Sequence, residues 1–292
     1  MSINILVQIV ISGVLLGGLY AVVAFGLSLI YGVARILNMA HGTLLAISGI
    51  LASGLYATTG WNPILIIVLL IPPFFAFGYA FHAVLLRPLA RRGPLEITIG
   101  TVLITVGALI ILSDVAAAIA GTSQRTIPVG TDTLEFRDII VPEAQVWILA
   151  GIAILTAALH VFLRRSWFGR AVRAVTLDEV GATICGIDSQ RAHALTFAVG
   201  SVLAAIAGVL YVISFPVNPY MGFNLTVKAF TIIVVGGVGN LTGALVAGLL
   251  LGLAEVFTAF VWAPQWAPAI SIVLLLVILI VFPHGLTTWR AR

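Results

Sequence analysis

Few residues in this chain are able to do covalent chemistry, and their spacing excludes most of it. The single lysine, Lys228, is preceded by Thr226-Val227 and followed by Ala229. A phosphate-binding loop needs a lysine and a hydroxyl after two spaced glycines, so this chain has none, and ATP hydrolysis would have to occur on another polypeptide. His41, His82, His160, His193 and His284 lie far apart, with no H-E-x-x-H helix, and Cys185 is the only cysteine. That leaves no expected metal site, disulfide framework or cofactor bound by the chain. There is also no G-x-S-x-G turn and no close carboxylate pair within an apolar run, so an intramembrane hydrolase has little support.

The chemistry left is electrostatic. An ionisable residue near the centre of a membrane helix costs about 2.5–3.5 kcal/mol and asks for a partner or a purpose. Asp114, Lys228 and Glu255 are the buried ionisable candidates, with Glu96 nearer an edge. Lys228 and Glu255 occupy adjacent segments at similar depth and are expected to pair. A structural ion pair unrelated to any solute is the simpler meaning.

The elements that position these residues are membrane spans. The 292 residues are 61% hydrophobic and 8% charged, too few charges to cover a soluble domain. Apolar runs near 5–31, 43–59, 63–86, 96–119, 144–163, 193–214, 225–240, 243–262 and 268–283 predict an all-α polytopic membrane protein of eight or nine helices. They lack the alternation of outer-membrane strands. The first residues carry no Lys or Arg and no cleavage site follows, so 5–31 reads as a span rather than a leader. With the loops at 32–42, 87–95, 164–192 and 284–292 in the cytoplasm, 11 of the 14 basic residues lie inside. The positive-inside rule then puts the N-terminus in the periplasm and the C-terminus in the cytoplasm, with residues 120–143 as a periplasmic loop. Nine crossings fit that orientation. Trp61, Trp147, Trp262 and Trp266 fall at predicted outer ends and Trp167 and Trp289 at inner ends, as an aromatic belt would.

Two spans are short. The run 225–235 covers roughly 16 Å as a helix, half a bilayer, and ends in Gly236-Gly237-Val238-Gly239-Asn240. The run 43–59 follows Asn38-Met39-Ala40-His41-Gly42. Glycine-interrupted short segments point to broken helices around a central transport site, so Asn38, His41, Gly42, Gly236, Gly237, Gly239 and Asn240 are candidate path residues. Close helix packing through glycine is the competing meaning. Asn38…Gly42 and Asn240…Gly243 share a faint likeness that hints at an internal repeat.

Residues 164–192 form a polar island holding five arginines and three acids. Thr176-Leu177-Asp178-Glu179 has the form of a capping box, and Gly186 suits a helix-closing C′ position. A helix over 177–185 would align Leu177, Val180, Gly181, Ile184 and Cys185 on one apolar face. So short a helix is marginal alone. Its face either lies on the protein's own spans or the membrane interface, or docks in a groove of a soluble partner. The arginines fit orientation signalling and anionic lipid equally well.

These residues resemble a known family. Gly169-Arg170-Ala171-Val172-Arg173-Ala174, then Asp178, Ala182 and Gly186-Ile187, are similar to the cytoplasmic loop of branched-chain amino acid ABC importer permeases (the LivH/LivM type). So are the Asn38–Gly42 block, which looks like the H-type subunit, Gly236-Gly237-Val238-Gly239-Asn240 with Gly243-Ala244, and Pro283-His284-Gly285-Leu286, where His replaces a commoner Gln. The likeness covers nearly the whole chain. It implies a single transmembrane permease domain over 1–292 in a bacterial inner membrane. It also implies a second permease subunit (LivM-like or a homodimer mate), two ABC ATPases carrying ATP and Mg, a periplasmic solute-binding protein, contact with membrane lipid and no nucleic acid. The loop helix becomes the ATPase-coupling element, drawing on Gly169, Arg170, Arg173, Thr176, Leu177, Asp178, Glu179, Val180, Gly181, Ala182, Ile184 and Gly186. Relatives also carry urea, short amides and aromatic acids, so substrate does not follow from the fold. The rival reading is a stand-alone secondary transporter or channel for a small polar solute.

Overall fold

A computed structural model describes residues 3–128, 133–136 and 139–281. The chain forms α1 (Ile3–Ala34), α2 (His41–Thr59), α3 (Pro63–Phe81), α4 (Pro94–Ala120), the strands β1 (Thr133–Phe136) and β2 (Ile139–Pro142), then α5 (Glu143–Arg165), α6 (Trp167–Leu177), α7 (Glu179–Ile184), α8 (Ser189–Ser214), α9 (Gly222–Gly236), α10 (Leu241–Val261) and α11 (Ala267–Val281). Eight helical segments among the described residues are long and apolar enough to cross a membrane. The ninth predicted run begins as α11, of which 15 residues, Ala267–Val281, are described. Pro283, His284, Gly285, Leu286, Trp289, Arg290 and Arg292 lie outside the described residues, as do Asp132, Arg137 and Asp138. The loop 120–143 carries a short antiparallel hairpin, with Leu134 opposite Val141.

The core forms around α1, an apolar helix of 32 residues whose middle is enclosed by α2, α8, α9 and α10. Lipid offers helices no hydrophobic drive to associate, so close backbone packing has to supply it. Gly13, Gly17 and Ala21 repeat every four residues on α1, as Ala244, Gly248 and Gly252 do on α10. A Cβ at Gly17 would lie 2.6 Å from Gly248 O, and one at Gly252 would strike the Gly17 backbone. The two helices therefore touch backbone to backbone.

One loop expected in the cytoplasm goes elsewhere. α1 ends at Ala34, Arg35 takes φ +53°, and residues 35–40 turn back into the bundle. Leu37 O accepts the Thr105 hydroxyl at 3.2 Å, and His41 packs against Gly26, which in turn abuts Gly200. Thr105 lies 11 residues into α4 and Gly200 11 residues into α8, so α2 starts roughly 16 Å from the arginine-rich helix ends. That is near the middle of a hydrocarbon layer about 30 Å thick. The positive-inside rule counted Arg35, which does sit at that end, but gave no depth for the residues after it.

The α1–α10 seam has a direct test. Gly252→Val should destabilise the chain by about 1–3 kcal/mol or more through overpacking. Gly107→Ala, at an open position, should be neutral or stabilising. Thermal melts of the two purified variants separate these outcomes, and a Gly252→Val melt equal to wild type would dissolve the seam.

Candidate functional site

The polar island folds as two helices. Ser166 starts α6, its hydroxyl accepting the Gly169 N–H at 3.0 Å. Gly169 lies so close to Leu163 O that no side chain fits there. α6 buries Ala171, Val172 and Val175 against Leu29 and Val33 of α1. Arg170 and Arg173 are exposed and turn back to carbonyls at the end of α5, Arg170 to Arg165 O and Arg173 to Leu163 O.

The predicted capping box does not form. α6 runs on through Leu177 because its apolar face is buried, and the Thr176 hydroxyl donates to Val172 O at 2.8 Å within it. The cap is Asp178, extended at φ −154°, whose carboxylate accepts the Val180 N–H at 3.0 Å. Asp is the stronger N-cap residue of the two. The loop helix is thus Glu179–Ile184, shorter than the predicted 177–185. Its far end matches the expectation for Gly186: φ is +85°, the Gly186 N–H reaches Thr183 O and the Ile187 N–H reaches Ala182 O, both at 3.0 Å, a Schellman closure.

α7 is anchored on one side and open on the other. Ala182 is buried with Val172, Val175 and Ala192, and Glu179 Oε1 lies 4.0 Å from His193 Nε2 on α8. Gly181 sits against the Asp178 carboxylate. Leu177, Val180 and Ile184 are 88, 70 and 82% exposed, and Cys185 is exposed too. The apolar face is turned away from the chain's own spans. His193 and His82 are buried edge to face at 6.1 Å.

The two glycine clusters occupy different places. Asn38 and His41 are 1% and 0% exposed, at the point where the N-termini of α2 and α9 meet inside the membrane layer. Gly42 and Gly222 face each other with no space for a Cβ on either. The Gly42 N–H donates to the Thr226 hydroxyl at 2.9 Å, which lies 3.0 Å from both Met39 O and Gly222 O. Asn38 Oδ1 accepts the Ala40 N–H, and His41 Nε2 donates to Val23 O at 3.1 Å. Gly236, Gly237, Gly239 and Asn240, by contrast, form the α9–α10 turn at the arginine-rich end. There Gly236 abuts Gly243, Gly237 and Gly239 take φ of +91° and +74°, the Gly239 N–H meets Ser28 Oγ at 3.2 Å, and Asn240 caps α10 through Gly243. The Gly236 cluster is therefore a hairpin turn and not a mid-membrane break. Both asparagines hold a helix start, which is the structural content of their sequence likeness.

Of the three ionisable candidates, two meet. Lys228 Nζ lies 2.8 Å from Glu255 Oε2, and the Tyr20 hydroxyl donates to the same oxygen at 2.8 Å. The lysine sits 4.6 Å from the Tyr20 ring centroid, so α1, α9 and α10 are tied together. Tyr20 carried no sequence signal of its own beyond its place in the first span. Asp114 is not buried. It is exposed on α4 and accepts the Tyr220 hydroxyl at 3.3 Å, beside exposed Phe223 and Asn224 at the start of α9. Among the described residues no cluster of three or more His, Cys, Asp or Glu could hold a metal.

Comparison with known proteins bears on this arrangement. A family described as "Branched-chain amino acid transport system / permease component" matches residues 9–281. The chain is 33% identical to the high-affinity branched-chain amino acid transport system permease protein LivH of Escherichia coli (strain K12), over 96% of this chain and 94% of that protein. It is 32% identical to BraD, a permease protein of the same kind from Pseudomonas aeruginosa, over 88% of each. Among solved structures, PsaBC from Streptococcus pneumoniae in complex with Fab aligns over 96% of this chain and 94% of its own at a TM-score of 0.46 and 14% identity, too loose to define the fold.

The Lys228–Glu255 pair generates a measurable cycle. Glu255→Leu leaves a buried ammonium and should cost about 3–5 kcal/mol, seen as lost yield and a lower melting temperature. Adding Lys228→Met should recover much of that loss, and a double variant no better than the single would show that the two charges do not depend on each other.

Proposed function

The chain belongs to the branched-chain amino acid transport system permease family, and from that premise we propose that it is the membrane-spanning subunit of an ABC importer for branched-chain or related amino acids. The arginine-rich end faces the cytoplasm, the N-terminus the periplasm, and the membrane is a bacterial inner membrane. A second permease chain completes the pathway, two ATPase subunits with ATP and Mg bind beneath, and a periplasmic binding protein delivers solute. The observation that carries this reading is α7. A helix of six residues is anchored by Ala182 and held at both ends by its caps, yet presents Val180 and Ile184 outward, with exposed Leu177 at the end of α6 beside them. A stand-alone carrier has no use for such a face, whereas a motor subunit needs one to grip.

Motion of α7 would pass through α6, which packs on α1, and re-aim the spans by alternating access. In this reading the junction at Asn38, His41 and Gly42 is the flexing point beside the path. The wall of the path is the polar surface of Asp114, Tyr220 and Asn224. An exposed carboxylate there suits a solute's ammonium better than it suits lipid. The turn at Gly236, Gly237, Gly239 and Asn240 is the inner end of the moving helix α9.

Val180→Asp should cut ATPase retention during co-purification about 30-fold, the effect of losing a contact worth about 2 kcal/mol, while the permease still folds. Undiminished retention in Val180→Asp and Gly181→Arg together would remove α7 as the docking element. Asp114→Asn should slow uptake about tenfold, as for a lost charge-assisted hydrogen bond, with assembly unchanged. Wild-type uptake in that variant would take Asp114 off the path.

A further inference from the structure

We infer that the cavity at the arginine-rich end of the bundle is a binding site for one anionic phospholipid. The cavity has a volume of about 560 Å³ and opens between α1, α5, α6 and the α9–α10 turn. Its walls are of two kinds. Leu29, Val33, Leu163 and Val172 make an apolar side, while Arg164 and Arg173 bring two guanidinium groups to the rim, and no Asp or Glu lines it. Arg173 turns to the carbonyls of Leu163 and Arg164, which fixes it beside its neighbour. The Arg164 side chain has no hydrogen-bond or ion-pair partner among the described residues. Two cations held together without a carboxylate call for an anion with several acceptor oxygens, and a phosphate diester meets both forks.

The apolar walls decide between a lipid and a soluble anion. A free phosphate or nucleotide gains nothing from Leu29 and Val33, whereas an acyl chain buries them. The outer surface of α5 continues the same apolar character through exposed Phe162, Val161 and Ile154, and Trp167 lies exposed at this end, where an aromatic side chain marks a membrane interface. Basic pockets between membrane helices on the cytoplasmic side have the chemistry to take anionic head groups. The bound lipid would bridge α5 and α6 to α1 and the start of α10, which makes it a fastener for the segment leading into α7. The inference does not depend on what solute the chain transports or on whether α7 docks an ATPase.

The test uses the purified full chain in mild detergent, with phosphatidylglycerol, phosphatidylcholine or inorganic phosphate added, read by native mass spectrometry and thermal melting. Wild type should retain one phosphatidylglycerol and melt higher with it, with little response to phosphatidylcholine. Arg164→Gln should weaken that response about fivefold, the effect of one basic residue near a charged surface. Thr242→Trp fills the cavity from its exposed rim and keeps every charge. It should abolish lipid retention while its melting temperature without added lipid stays at the wild-type value, and it decides the matter if Arg164→Gln does not fold. The proposal is overturned if phosphatidylcholine binds as well as phosphatidylglycerol, if inorganic phosphate alone reproduces the stabilisation, or if lipid retention survives in Thr242→Trp.

Discussion

A helix that begins inside hydrocarbon has to find acceptors for its first N–H groups, because no water is there to take them. That constraint governs the centre of this chain. α2 begins near the middle of the bundle, and it can do so because the Thr226 hydroxyl accepts the Gly42 N–H and Asn38 accepts the Ala40 N–H. Thr226 belongs to α9, so the start of one helix is completed by the side of another. Only glycine at positions 42 and 222 lets the two backbones come close enough for that hydroxyl to reach. Substituting either glycine would push the helices apart and strand polar groups in an apolar layer, a penalty of several kcal/mol for each group left unpaired.

α9 is consequently held at three levels. Its start is joined to α2 through Thr226, its middle to α1 and α10 through Lys228, Glu255 and Tyr20, and its end to α1 through Gly239 and Ser28. An element so bound moves as a rigid piece or exchanges one discrete set of contacts for another, since packed helices are bistable rather than continuously deformable. The lowest contact is next to the cavity lined by α6. Contacts therefore run along one wall of that cavity, from α7 through Ala182 and the α6 cluster on Leu29 and Val33, to Ser28 and the turn after α9.

Much of this was legible in the chain. Apolar runs gave the spans to within a few residues because the bilayer sets both their length and their composition. Gly186 was legible because a left-handed helix stop leaves little choice of residue. Depth was not legible. The cluster around Gly42 and the cluster around Gly236 look alike in sequence, yet one is a junction inside the layer and the other a turn at its edge, because glycine serves tight turns and close packing equally. The capping residue was misplaced by two positions for a similar reason: Thr176 satisfies the local pattern, but burial of Val172 and Val175 extends α6 past it, and tertiary packing overrides a local signal. Tyr20 and Thr226 were missed altogether. A tyrosine or threonine within an apolar run has no periodicity that reveals a partner some two hundred positions away.

Among the charged residues within the spans, Lys228, Glu255 and Asp114 differ in how their charge is accommodated. Lys228 and Glu255 neutralise each other inside the chain and receive a further hydrogen bond from Tyr20, so their cost in the membrane is offset where they stand, and nothing outside the chain is required. Among the described residues Asp114 meets the Tyr220 hydroxyl at 3.3 Å, and it is exposed on the least enclosed of the long helices. It lies in the last two turns of α4, roughly 30 Å from the arginine-rich end and so at the opposite boundary of the hydrocarbon layer. Depth and exposure thus set it apart from the Lys228–Glu255 pair: a carboxylate that solvent can reach needs no internal countercharge.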